Sequence, residues 1–246
     1  MMKLITHSLW MPVLILVLSL VACQEDDALD PNDSSDNSTA LQPVLGEGDG
    51  AFWAINTITT TEQPVVGPID IELGTALGLV TPDNFERFVD AGTVSVLDRA
   101  LTRNDNNSYT YIPEVTDPTG LIFPSSFQWS VSGAGDVASF EHTVDFAFPE
   151  VEAITSAVKV EKASGYTLTC AGVSGAEGVI FQVGNVLKEV TGNSDSVAFT
   201  ADELAGVPSG ASLVQVAAFT YREETIGGKT YYFGNQTVRS VSVEIE

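Results

Sequence analysis

Thr237-Val238-Arg239-Ser240-Val241-Ser242-Val243-Glu244-Ile245-Glu246 is the stretch that decides the fold class. Val241, Val243 and Ile245 alternate with Ser240, Ser242 and Glu244, the two-residue period of a strand with one packed and one wet face. Immediately upstream, 229–235 reads as another strand, and Gly227-Gly228 supplies the positive φ angles that a tight hairpin needs, so 213–222 should run back antiparallel.

The same signature recurs toward the N-terminus. Alternating runs at 158–162, 165–170, 178–183, 186–190 and 197–200 are separated by Gly, Asn and Asp, and 200–204 suits a single helical turn. Seven or eight strands in roughly 95 residues is the count of an immunoglobulin-like or fibronectin type III-like sandwich. Before Pro149, strands are expected at 52–60, 93–97, 109–112, 127–132 and 140–148. A tight reversal is expected at 97–101, a turn at 104–107, and a short helix over 81–90 with Phe85 and Phe88 facing inward. The expectation is an all-β chain with one or two such sandwiches, divided into 51–149 and 150–246.

Composition agrees and excludes some functions. The chain of 246 residues is 44% hydrophobic and rich in Val, Thr, Ser and Gly, with helix-favouring Lys, Arg, Gln and Met scarce. Its formal net charge of −23 repels phosphate backbones, so nucleic acid is not a partner, and it disfavours lying flat on anionic lipid.

The N-terminus has a different grammar. Met1-Met2-Lys3 is followed by an apolar run over 9–21, too short to span a bilayer core of about 30 Å but suited to a signal peptide. It ends in Leu20-Val21-Ala22-Cys23, which resembles the lipobox of bacterial lipoproteins. That resemblance implies that 1–22 is removed and Cys23 is acylated, so membrane contact comes through the lipid. Gln24-Glu25-Asp26-Asp27 resembles the signal that sends Bacteroidota lipoproteins to the outer face of the outer membrane, and Gln24 is not the Asp that commonly marks inner-membrane retention in enterobacterial lipoproteins. Residues 24–50 hold eight acidic residues and no Lys or Arg, so 23–50 is expected to be a disordered acidic tether.

No motif demands an enzyme. Beyond the signal peptide the only histidine is His142, which excludes a two-His metal site and weakens any triad; Gly-x-Ser-x-Gly and phosphate-binding glycine loops are absent. With Cys23 acylated, Cys170 is left alone, a small apolar residue on the same face as Tyr166 and Leu168. The run Arg103-Asn104-Asp105-Asn106-Asn107-Ser108 has oxygen ligands for calcium but lacks the glycine and distal Glu of an EF-hand, and reads as a turn. Asp195-Ser196-Val197 resembles a Bacteroidota O-glycosylation motif and reads as a strand start. No metal or cofactor is expected.

Aromatic residues point best to a ligand. Tyr109 and Tyr111 share one face of a strand, as do Tyr231 and Phe233, and rings on an open sheet face stack on sugars or fill partner pockets. Trp53 and Trp129 read as core. Asp90-Ala91-Gly92-Thr93-Val94-Ser95-Val96 through Tyr111, and Phe127-Gln128-Trp129-Ser130-Val131-Ser132-Gly133, are similar to uncharacterised surface lipoproteins of the Bacteroidota, a resemblance that carries no activity. The expected function is a non-catalytic, lipid-anchored, cell-surface module that binds glycan or protein. The alternatives are an accessory subunit of an outer-membrane complex and, less favoured, a carboxylate-dependent hydrolase.

Overall fold

A computed structural model describes residues 41–63 and 67–246. The signal peptide, Cys23, the export signal at 24–27 and the first part of the tether lie outside the described residues. The regular structure of those described is almost entirely strand. The first half supplies β1 (Gly50–Gln63), β2 (Gly67–Val80), β3 (Val94–Val96), β4 (Arg99–Ala100), β5 (Thr102–Arg103), β6 (Tyr109–Tyr111), β7 (Phe127–Val131) and β8 (Phe140–Val144). The second half adds β9 (Ala153–Ile154), β10 (Lys159–Val160), β11 (Tyr166–Ala171), β12 (Gly178–Val183), β13 (Val186–Thr191), β14 (Ser196–Phe199), the helical turn α1 (Ala201–Leu204), β15 (Gly210–Ile226) and β16 (Lys229–Ile245). Among the described residues no helix is long and apolar enough to cross a membrane.

The chain is all-β, and a nine-stranded sheet organises it. Its order is β13-β12-β15-β16-β1-β2-β6-β5, with β10 added in parallel to the end of β16. The hairpin of β15 and β16 has 17 residues per strand, closed by Gly227 and Gly228 at φ 62° and 80°. Such angles are the requirement of a two-residue hairpin turn whose twist matches its strands. β1 pairs in parallel with the first part of β16, from Gly50 opposite Tyr231 to Thr60 opposite Val241. One sheet thus joins strands from 51–149 with strands from 150–246.

Register fixes what each face carries. Pairing along β15 and β16 runs from Gly210 opposite Ile245 to Ile226 opposite Lys229 without a bulge, so alternation holds over its whole length. Odd residues of β16, even residues of β1 and odd residues of β6 all point to one face. Over its first half lies the four-stranded sheet β4-β3-β7-β8, enclosing Phe52, Trp129, Tyr109, Phe127 and Phe233. Over the other half lies the three-stranded sheet β14-β11-β9, enclosing Leu168, Phe181, Phe199, Val216 and Ile245. The opposite face carries Trp53, Phe219, Tyr232 and Val238. Residues 41–49 cross it, with Gln236 Nε2 donating to the Leu41 carbonyl at 2.7 Å and the Tyr232 hydroxyl to that of Glu47 at 2.9 Å.

Three local expectations are corrected. Residues 81–90 form no helix, because Asn84 and Phe85 take φ of 57° and 69°, and the buried Thr81 hydroxyl accepts from the Asp83 and Phe85 amides instead. β2 was not expected. Its packed face is Gly74, Ala76, Gly78 and Val80, and a Cβ on Gly74 would stand 1.7 Å from the Leu121 carbonyl oxygen, so the strand is small where others are large. The expected break at 235–237 is also absent. Asn235 and Gln236 are fully buried mid-strand, satisfied in part by Asn235 Nδ2 on the Phe146 carbonyl at 2.8 Å and by the Gln236 bond to Leu41. The turn at 97–98, with both φ positive, and the capped turn at 200–204 form as expected.

Candidate ligand cleft between the sheets

The four rings expected on an open surface are instead on the packed face. Tyr109 is 1% exposed, Tyr231 4% and Phe233 0%; only Tyr111 is half-buried. The Tyr109 hydroxyl accepts from the Ala91 amide at 2.8 Å and donates to Asp90 at 3.1 Å, while that of Tyr111 donates to Asp117 at 3.1 Å. Phe233 is held between Phe52, at 5.2 Å between ring centres, and His142, at 3.9 Å. Alternation correctly pairs the rings; what it cannot supply is which face a second sheet covers. They do not form one exposed platform.

Other candidates also settle into structural places. Cys170 is buried beside Tyr166 and Leu168, and burial pushes its thiol up to about 11, the reverse of a reactive cysteine. The Asn-rich run closes the turn between β5 and β6 by bonding itself. Asn106 Oδ1 accepts from the Ser108 amide at 3.0 Å and its hydroxyl at 2.7 Å, and Asn104 Nδ2 donates to Ser108 Oγ at 2.9 Å. Among the described residues no three His, Cys, Asp or Glu side chains gather to hold a metal.

One concavity does stand open. A cleft of about 710 Å³ enters between the two layers at one end, where the tip of the β15–β16 hairpin, the start of β1, the loop after β2 and the turn before β8 converge. Each wall follows from local chemistry. The Asp49 amide donates to the Thr230 carbonyl at 2.7 Å and its carboxylate accepts from the Thr230 amide at 2.9 Å and Lys229 Nζ at 2.7 Å, so the chain before β1 is tied to the hairpin tip. Asp83 holds Arg87 Nε at 2.6 Å. Asp90 receives the Gly92 amide, Arg103 and the Tyr109 hydroxyl. Ala134 and Val137 exchange backbone bonds at 3.1 and 2.9 Å across Gly135 and Asp136, closing a turn that lines the cleft.

The inner wall is apolar, built by Val80, Val89, Phe140 and Tyr231, with the last two rings 4.7 Å apart. Tyr231 donates to and accepts from no described residue, although it lies almost wholly inside the protein. Asp136 likewise makes no ion pair among the described residues. Burial pulls Asp49 upward, but hydrogen bonds from Lys229 and Thr230 outweigh it and hold the carboxyl below its ordinary value. For Asp90 the Gly92 amide and then Arg103 do the same.

Of the residues lining this cleft, the sequence marks only Tyr231 as a candidate, and for a different role. Asp49, Arg87, Asp136, Phe140 and Lys229 come from four distant segments, each resembling an ordinary turn or strand end. The topology alone brings them together. Comparison with known protein families and with curated proteins finds no match for this chain.

Proposed function

We propose that this chain is a lipoprotein anchored through acylated Cys23 in the outer membrane, facing the cell exterior, and that its β-structure is a non-catalytic binding module for a glycan or a surface protein. The observation that carries the binding reading is the cleft, a concave apolar wall with a few convergent polar groups, of a volume within the roughly 300–1,000 Å³ usual for ligand sites. The lipobox at 20–23 and the acidic run at 24–27 support the anchor and the address.

Electrostatics give neither Asp49 nor Asp90 the part of a proton donor. A glycosidase needs one carboxyl kept protonated as a proton donor, through an elevated pKa. Asp49 and Asp90 are both shifted the other way by their donors. The strand order of 150–246 further supports an immunoglobulin-like or fibronectin type III-like reading, since β9-β11-β14 opposes β13-β12-β15-β16 as strands A, B and E oppose C, F and G. A crystal structure in which those strands did not face each other would remove it.

The test is a binding screen of the full-length chain in detergent micelles against glycan arrays and outer-membrane proteins. The comparison variant is Asp136→Trp, which places a bulky ring at the exposed lip of the cleft. A partner bound by the wild type and lost in the variant is expected. A partner retained equally by both refutes the cleft as the site, and turnover of the bound partner refutes the non-catalytic reading.

A further inference from the structure

We infer, resting on the reading that this cleft binds the ligand, that it takes a neutral saccharide, one ring entering end-on so that a sugar hydroxyl meets the hydroxyl of Tyr231. Three observations converge on that chemistry. The first is Tyr231 itself, 4% exposed, lining the cleft, and without a hydrogen-bond partner among the described residues. The ring is packed away while the hydroxyl oxygen is not sealed from solvent, so water meets it in the free protein and a ligand hydroxyl can take that place. A phenol both donates and accepts, as does a sugar hydroxyl, so the two match in either direction.

The second is the wall beside it. Phe140 packs 4.7 Å from Tyr231, and Val80, Val89 and Val137 continue the apolar surface. A pyranose ring presents C–H groups on its faces and hydroxyls at its edge, which suits an apolar side wall with a polar group beside it.

The third is charge, which separates neutral from acidic saccharides. Arg87 and Lys229 line the cleft, yet each is already held by a carboxylate, Asp83 at 2.6 Å and Asp49 at 2.7 Å. Asp90 is paired with Arg103, and Asp136 has no cationic partner among the described residues. A uronate or sulfate would therefore meet a lining in which Asp49, Asp90 and Asp136 outnumber Arg87 and Lys229, on a chain of net charge −23.

The experiment probes the full-length chain on an array that sets neutral hexose and N-acetylhexosamine oligosaccharides beside uronic-acid and sulfated ones, followed by calorimetry on the strongest binder. The variants are Tyr231→Phe and Asp136→Trp. Neutral saccharides should bind, Tyr231→Phe should weaken the strongest by roughly tenfold for the lost hydrogen bond, and its thermal midpoint should match the wild type. Binding of acidic saccharides instead, with the same loss in Tyr231→Phe, overturns the ligand class and keeps the cleft as the site. Saccharide binding untouched by both variants overturns the cleft reading too. No saccharide bound at all overturns the inference and leaves the protein-binding branch of that reading to stand on its own screen.

Discussion

Tyr109→Phe and Tyr231→Phe remove the same oxygen from two tyrosines buried in the same layer, and they should behave differently. At Tyr109 the oxygen is the acceptor for the Ala91 amide at 2.8 Å, and Ala91 is 0% exposed. Deleting it strands a buried N–H with no water to replace the partner, which costs about 1–3 kcal/mol. The second bond, to Asp90, adds little, because that carboxylate is half exposed and water takes the place of the phenol. For a folded region of this size, 1–3 kcal/mol lowers the thermal midpoint by roughly 2–10 °C. At Tyr231 no described group loses a partner, so Tyr231→Phe should stay within about 0.5 kcal/mol of the wild type. Urea unfolding followed by Trp fluorescence measures both, with unchanged m-values as the check that only stability moved. Equal losses, or a Tyr109→Phe loss below about 0.5 kcal/mol, would refute the assignment of these two hydroxyls.

Other outcomes follow from the same geometry. Tyr109→Ala with Tyr111→Ala should unfold the protein rather than merely weaken a ligand, since removing a fully packed ring costs about 3–5 kcal/mol; a stable double variant by circular dichroism would contradict the packed layer. His142 lies over Phe233 with Glu224 and Asp145 nearby, and burial outweighs those carboxylates to hold its pKa below the ordinary 6.5. In that case the unfolded state binds the proton first, so stability should rise with pH from the depressed folded value up to about 6.5. Urea midpoints across that window should slope less in His142→Phe, and an identical slope would count against the half-buried imidazole. Cys170 should resist iodoacetamide at pH 8 until urea unfolds the chain, and rapid labelling of the native protein would show the thiol to be open. Intact-mass measurement after membrane extraction should find acyl mass on Cys23 and none in Cys23→Ala; a normally matured, membrane-retained variant would end the lipoprotein reading.

Fold class was legible because alternation is a local property. Ser240 through Ile245, Tyr166 through Cys170 and the Gly227-Gly228 turn each state strand or hairpin without reference to anything distant, and all form as read. Errors arose where burial is bought with unusual residues. β2 packs glycines and an alanine inward because Leu121 and Phe52 press against it, so its packed face has no hydrophobic pattern to find. Asn235 and Gln236 look like turn residues, yet side-chain bonds to Phe146 and Leu41 let them lie inside a continuous strand.

The candidate site was illegible for a related reason, and the reason bears on how it is built. Alternation assigns Tyr109, Tyr111, Tyr231 and Phe233 to faces but does not say that β3, β4, β7 and β8 return as a separate sheet over that face. Once that sheet is present, the four rings change from a surface into a core, and the useful opening moves to the end of the layers. There Tyr231 is the last ring of the core and the first of the cleft. Its ring is fixed by Phe52 and Phe140 at 6.1 and 4.7 Å, while its hydroxyl meets none of the described groups. Holding the aromatic part rigid means that a ligand hydrogen bond need not order that side chain on binding, which removes a cost of about 0.5–1.5 kcal/mol that a mobile tyrosine would incur. The packing that hid the cleft from the sequence is the same packing that fixes this ring at its edge.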